Sequence, residues 1–92
     1  MINVLLDTNV ILDAVANRVP FNKNAEQIFI LAAEQKIKGY ITANSLTDIY
    51  YIAKKQLEVD YIITRDDIFL KSGKNVKNIE IIEPLDFLEI FA

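Results

Sequence analysis

Short apolar runs alternate along this chain with stretches of helical periodicity, and this alternation limits the folds open to it. The first run, Ile2 to Leu6, is almost continuously apolar, as in a strand buried on both faces. Further strands are predicted at 40–42, 59–64 and 79–82, with a polar loop before the last. Helices are predicted from Thr8 or Asn9 to about Asn17, over 22–36, over 45–56 and from Pro84 onwards. Strands that alternate with helices predict an α/β domain with a parallel sheet.

Side-chain patterns set the expected helix boundaries. Thr8 or Asn9 is expected to cap the first helix, because hydroxyl and amide oxygens accept hydrogen bonds from free backbone N–H groups. Asn24 with Gln27 resembles a capping box for the second helix, and Gly39 is expected to end that unit.

Composition narrows the chemistry. The 92 residues predict a single domain over 1–92. The chain has no cysteine, which excludes a disulfide framework and a thiolate zinc site. It also has no histidine, so Ser-His-Asp catalysis is excluded and any reaction must depend on carboxylates, hydroxyls, lysines or a bound metal. A net charge of −3 argues only weakly against contact with nucleic acid.

Location follows from what the sequence lacks. No apolar run reaches the roughly 18 residues of a membrane helix. The N-terminus shows no basic region followed by a cleavable apolar stretch. We therefore expect a cytoplasmic protein with no membrane partner.

Three aspartates fall near the predicted carboxyl ends of strands. Asp7 ends the first strand, Asp66 follows the strand at 59–64, and Asp48 lies in the first turn of the helix after the second strand. Ligands of open parallel sheets bind at that edge, so the three side chains are expected to converge. Crowded carboxylates repel one another unless a cation lies between them. Mg²⁺, which prefers oxygen ligands, is the natural cation.

Each of these acids also has a purely structural explanation. Asp7 could be a helix N-cap, although its neighbours could do the same. Ser45-Leu46-Thr47-Asp48 matches a capping box, and Asp66 could be a turn residue.

Other polar residues nearby are interpreted with them. Asp13, on the first helix, is expected to be exposed or at most to lie behind the site, and Asp60, which opens a strand, is expected to be structural. Thr8 and Thr64 could orient a metal-bound water, or could simply be β-branched residues that finish strands.

Several segments taken together resemble a PIN domain, and in particular the toxin ribonucleases of bacterial toxin–antitoxin pairs. The segments cover nearly the whole chain in the family's order: LLDTNVILD, NRVPF, GYITANSLTDIYYIAKKQ, DYIITRD and IEIIEPLDFLEI. The resemblance implies a ribonuclease that depends on Mg²⁺ or Mn²⁺, with RNA as substrate and an antitoxin protein as partner.

The resemblance also implies roles for individual residues. Asp7 matches the family's first acid, supported by Asn9; Asp48 matches the second; and Asp66 matches the fourth, with Thr64 beside it. No residue matches the third acid. Family members usually carry a further strand and helices where Gln56-Leu57-Glu58 here joins two segments directly.

The implied architecture is a three-layer PIN-like fold, shortened relative to the family. The missing strand lies at a sheet edge, outside the second strand. Its absence leaves a parallel sheet of about four strands in the chain order 2-1-3-4.

Two functions stay open at this point, with a third ranked low. The first is a ribonuclease weakened by the loss of one acid. The second is a catalytically inactive PIN-derived module that pairs with an antitoxin or with itself. A receiver-like phosphoacceptor domain also places acids at strand ends, but it usually needs an acid pair that Asp7-Thr8-Asn9 does not supply.

Self-association is expected from the shortening. The second strand, with Gly39, would become an open edge. Alternate residues of the apolar runs VLL and YII would lie on an uncovered face, and Tyr51 and Ile52 would add apolar surface. The tight connection at 56–59 favours exchange of the C-terminal segment, which could bring Asp66 of one chain beside Asp7 of another. We therefore predict a homodimer, either packed through that face or domain-swapped.

Overall fold

A computed structural model describes residues 1–41, 58–72 and 79–91. The strands in these ranges are β1 (Ile2–Leu6), β2 (Ile37–Ile41), β3 (Tyr61–Ile63) and β4 (Glu80–Ile82). The helices are α1 (Thr8–Val15), α2 (Asn22–Ala33), α3 (Asp67–Ser72) and α4 (Pro84–Phe91). The predicted helix at 45–56, with Asp48, Tyr51 and Ile52, lies outside the described residues.

The strands form one parallel sheet in the order β2-β1-β3-β4, which confirms the predicted α/β class and strand order. The register aligns the last residues of all four strands, because Leu6 pairs with Ile41 and with Ile63, and Ile63 pairs with Ile82. The residues that follow β1, β3 and β4 therefore stand side by side at one edge, which we call the carboxyl rim. They are Asp7, Thr64 and Glu83.

The second strand differs from the prediction because it begins at Ile37 rather than Tyr40. Ile37 is buried in the core. Gly39 therefore lies inside the strand and does not end the preceding unit. A Cβ at Gly39 would lie 3.6 Å from the Ala32 Cβ, an ordinary contact, so glycine is not required there by space.

The helix boundaries also correct two predicted caps. The N-cap of α1 is Asp7, in an extended conformation, and not Thr8 or Asn9. The chain turns into the helix directly at the strand end, so Thr8 is already its first residue. The N-cap of α2 is Phe21, which makes no side-chain capping bond, so the predicted capping box of Asn24 and Gln27 is wrong.

Two helix ends are set by the backbone. Asn17 follows α1 with a φ of 53°, and Gln35 follows α2 with a φ of 61°. A residue in this left-handed region is a common way for a helix to end. The second helix consequently stops at Ala33, short of the predicted residue 36.

Both faces of the sheet carry core residues. On one face α1, α2 and α4 cover a cluster made of Val4, Leu6, Val10, Ala25, Ile28, Ile37, Ile63, Ile82 and Phe87. On the other face a smaller cluster contains Leu5, Val59, Ile62, Phe69 and Ile79. Leu5 and Ile62 have no exposed surface, so the prediction that this face would be uncovered is wrong.

The C-terminal part matches the prediction at one helix and departs from it at another. Pro84 is the first residue of α4, as predicted, which suits its fixed φ and missing N–H. The short helix α3 was predicted as polar loop, and it supplies the buried Phe69. Within the described ranges, no helix combines the length and apolarity needed to cross a bilayer.

Candidate active site at the carboxyl rim

Asp7 is held from both sides where β1 passes into α1. Its Oδ1 accepts a hydrogen bond from the Thr8 backbone N–H at 2.7 Å, and its Oδ2 accepts one from the Thr64 hydroxyl at 2.7 Å. Its own backbone N–H donates to the Ile63 carbonyl at 3.0 Å. An ionised carboxylate has about four acceptor positions, so these bonds fix its orientation and leave it able to accept more. The capping role and a site role are therefore compatible.

Thr64 connects two of the acids at this rim, Asp7 and Asp66, which we call the rim acids; Glu83 lies at the same edge of the sheet. Its side chain has no exposed surface. The hydroxyl donates to Asp7 Oδ2 and accepts a hydrogen bond from the Asp66 backbone N–H at 3.1 Å. Thr64 therefore holds Asp7 and Asp66 in place through its hydroxyl, so its role is not limited to that of a β-branched residue at a strand end.

Asp66 is the N-cap of α3. Its Oδ1 accepts hydrogen bonds from the backbone N–H groups of Ile68 at 2.9 Å and Phe69 at 3.4 Å. Among the residues that the structure describes, none donates to its Oδ2. Asp66 therefore has the structural role that its position after the strand suggests, and no described residue competes with a ligand for its Oδ2.

Asp13 is fully buried, so the predicted exposure of its side chain is wrong. The alternative prediction, that it lies behind the site, is consistent with its position. It pairs with Arg65, whose Nη2 donates to Oδ1 at 2.8 Å while Nε donates to Oδ2. The hydrogen bond with Asp13 raises the pKa of Arg65, burial opposes that rise, and the charges of Asp13 and Glu83 add to it. The guanidinium also stacks 3.8 Å from the centre of the Phe21 ring.

The ion pair between Arg65 and Asp13 determines whether Arg65 can neutralise the acids at the rim. Arg65 stands in the chain between Thr64 and Asp66, yet its charge is directed to Asp13 rather than to either rim acid. Within the described parts of the chain, no basic side chain forms an ion pair with Asp7 or Asp66. Two carboxylates that no basic side chain of the described residues pairs with suit Mg²⁺, which binds proteins through one or two carboxylates and keeps several waters.

The structure brings together those predicted site residues that it describes. Asp7, Thr8, Asn9, Thr64 and Asp66 all lie at the carboxyl rim, where Asn9 Oδ1 accepts a long 3.5 Å hydrogen bond from the Arg65 backbone N–H. Asp48 is outside the described residues, and those described contain no group of three potential metal ligands.

Asp60 has the structural role predicted for it. It lies just before β3, at the opposite end of the sheet from the rim, and its Oδ2 accepts a hydrogen bond from the Asn3 backbone N–H at 2.9 Å.

The sequence interpretation placed Asp13 at the surface or at most behind the site, and it gave no role to Phe21 or Arg65. A signal for Asp13 was available, because it follows Asn9 by four residues and the buried Val10 by three, which places all three on one helix face. An arginine directly after a buried strand and between two polar site candidates was a second signal. Nothing in the sequence pairs it with Asp13 in particular.

Comparison with known proteins agrees with this geometry. A family model for the PIN domain matches residues 3–88. Searches among curated proteins and among solved structures gave no match.

Proposed function

The chain belongs to the PIN domain family, a nuclease superfamily whose members generally depend on divalent metal ions, and from this premise we propose that it is a metal-dependent ribonuclease, the toxin of a toxin–antitoxin pair. One observation carries the catalytic part of the proposal. Thr64 joins the carboxylate of Asp7 to the backbone of Asp66, so that two acids from distant parts of the chain share one rim.

The residues that would hold the metal are Asp7 and Asp66, with Asp48 proposed as a third ligand. A divalent ion bound there would lower the pKa of water and stabilise the charge that develops on a phosphodiester. The donor set is made of oxygen alone, which favours Mg²⁺ or Mn²⁺ over zinc.

The contribution of the chain itself is orientation. Asp7 and Asp66 each cap a helix through one carboxylate oxygen, so neither carboxylate can rotate freely. Thr64, which is fully buried, prevents the two segments from drifting apart. Such fixed placement is what catalysis by positioned groups needs, because small displacements reduce rates by about 10²-fold.

Reduced activity is part of the proposal. No residue of this chain matches the family's third acid, so we expect a single weakly held ion. Turnover should be slower by orders of magnitude than that of a complete site.

The proposed partners are RNA, an antitoxin protein and a second copy of the chain. In the described part of the chain, self-association is supported by the edge strand β2, while the sheet face is covered. The proposed exchange at 56–59 lies partly outside the described residues. Exposed apolar side chains of α1 and α2, such as Val15 and Ile30, add surface suited to a protein partner.

Cleavage of RNA by the purified chain tests the proposal. With Mn²⁺ we expect slow cleavage that EDTA stops and that Asp7→Asn abolishes. Asn is a good N-cap, so this variant should stay folded. The matched control is Asp60→Asn, at the opposite end of the sheet, which should cleave like wild type. If wild type and Asp7→Asn are equally inactive while the chain still binds an antitoxin or itself, the alternative of an inactive binding module is favoured.

A further inference from the structure

We propose that Asp13 and Arg65 form a clamp that positions Asp66 against Asp7, and so are positioning residues of this site. The consequence for metal binding rests on the proposed function, whereas the clamp itself does not. Within the described ranges, the side chain of Asp13 is bonded to Arg65 and not to Asp7 or Asp66, so it acts through Arg65.

The geometry of the clamp is specific. The turn of Thr64, Arg65 and Asp66 leaves β3 and must be held against α1. Its backbone is fastened by the Arg65 N–H to Asn9 Oδ1, at 3.5 Å, and its side chains by Thr64 to Asp7 and by Arg65 to Asp13. The backbone bond is long, so the two-pronged bond between Arg65 and Asp13 is the firmer of the two attachments that Arg65 makes.

A second contact restricts the arginine. Its guanidinium lies 3.8 Å from the centre of the Phe21 ring, at the start of α2. Arg65 is thus confined between α1 and α2, while the residue after it supplies the rim carboxylate. A guanidinium that is bound on one edge and stacked on one face has little freedom left, and the backbone of Asp66 shares that restriction.

Folding alone gives a poor reason for this arrangement. Asp13 has no exposed surface, and burying a charge pair is commonly no better for stability than burying two apolar side chains of similar volume. Removal of Arg65 alone should be damaging, because it leaves the charge of Asp13 buried and unpaired, whereas the Arg65 side chain is 24% exposed. Folding does not require the pair of Asp13 and Arg65, yet the pair fastens the turn that carries Asp66. We therefore expect it to serve the site.

The test replaces both partners at once. In Asp13→Leu with Arg65→Met, no charge is left unpaired, so the doubly substituted chain should fold with a melting temperature close to that of wild type. Isothermal titration with Mn²⁺ should show affinity weakened by about 10- to 100-fold, the range typical for residues that orient metal ligands. Arg65→Lys keeps the charge but loses the two-pronged geometry. Its Mn²⁺ affinity should lie between that of wild type and that of the double substitution.

A core substitution distant from the rim is the matched control. Ile37→Val lowers stability at the far end of β2 without touching the turn. It should bind Mn²⁺ like wild type, even if its melting temperature is lower than that of the double substitution. If the double substitution leaves Mn²⁺ affinity unchanged, or if Ile37→Val weakens it equally, the clamp is refuted as a positioning device.

A second measurement separates failure of the clamp from failure of the proposed function. Hydrogen exchange without metal follows the amides of Arg65, bonded to Asn9, and of Ile68, bonded to Asp66. The double substitution should speed their exchange by about tenfold or more, while the Asp60 amide, bonded to the Asn3 carbonyl, keeps its wild-type rate. If wild type binds no Mn²⁺, the proposed function fails, and this exchange pattern still supports the clamp. Unchanged exchange at both amides overturns the clamp.

Discussion

Replacing Thr64 by valine removes the hydroxyl that joins the two rim acids and keeps the shape of the side chain. The hydroxyl makes two hydrogen bonds, one to the Asp7 carboxylate at 2.7 Å and one from the Asp66 N–H at 3.1 Å. A bond to a charged group contributes about 2 kcal/mol and a bond between neutral groups about 1 kcal/mol. The extra buried methyl group of valine offsets about 0.8 kcal/mol of that loss.

The net effect expected for Thr64→Val is a loss of about 2 kcal/mol in the free energy of unfolding. For a domain of this size that corresponds to a melting temperature lower by roughly 8–16 °C. Urea denaturation followed by circular dichroism measures this loss in the free energy of unfolding. Thr64→Ser is the control, because it keeps the hydroxyl and gives up one buried methyl group, about 1 kcal/mol. If the valine variant is as stable as the serine variant or more so, the hydroxyl does not connect the acids as described.

Three further predictions concern the rim and assembly. Mn²⁺ should raise the melting temperature of wild type through preferential binding to the folded state, and Asp7→Asn should remove most of that rise in a thermal-shift assay. Asp66→Ala should lower the free energy of unfolding by about 1 kcal/mol through loss of the α3 cap, whereas Asp66→Asn should lower it by less, which urea denaturation would resolve. Light scattering at micromolar concentration should show a dimer; a monomer that stays soluble would contradict the proposed self-association.

The sequence was sufficient where one local pattern had one solution. Ile2 to Leu6 could be placed as a buried strand because five residues without a charge leave few alternatives. Pro84 could be placed at a helix start because its ring suits that position. Parallel topology then brought Asp7 and Asp66 to one rim, since the carboxyl ends of parallel strands share an edge.

The sequence was insufficient where a tertiary partner decides the outcome. Asp13 looked like a surface residue because its partner, Arg65, is 52 positions away. Asp7 was assigned a site role with its neighbours as caps, yet one carboxylate serves both purposes. Alternate residues of VLL and YII were predicted to lie on an uncovered face. Leu5 and Ile62 are instead buried against residues such as Phe69, in a helix too short to give a periodic signal.

The most direct test of the account is to map where Mn²⁺ binds. Paramagnetic Mn²⁺ broadens the NMR signals of nearby amides, so a ¹H–¹⁵N titration reports the position of the ion without any assumption about activity. We expect broadening first at Thr8 and at Asp66 to Ile68, with Asn3 and Asp60 at the opposite end of the sheet affected last. Uniform broadening, or broadening centred away from Asp7 and Asp66, would contradict a metal site at the carboxyl rim.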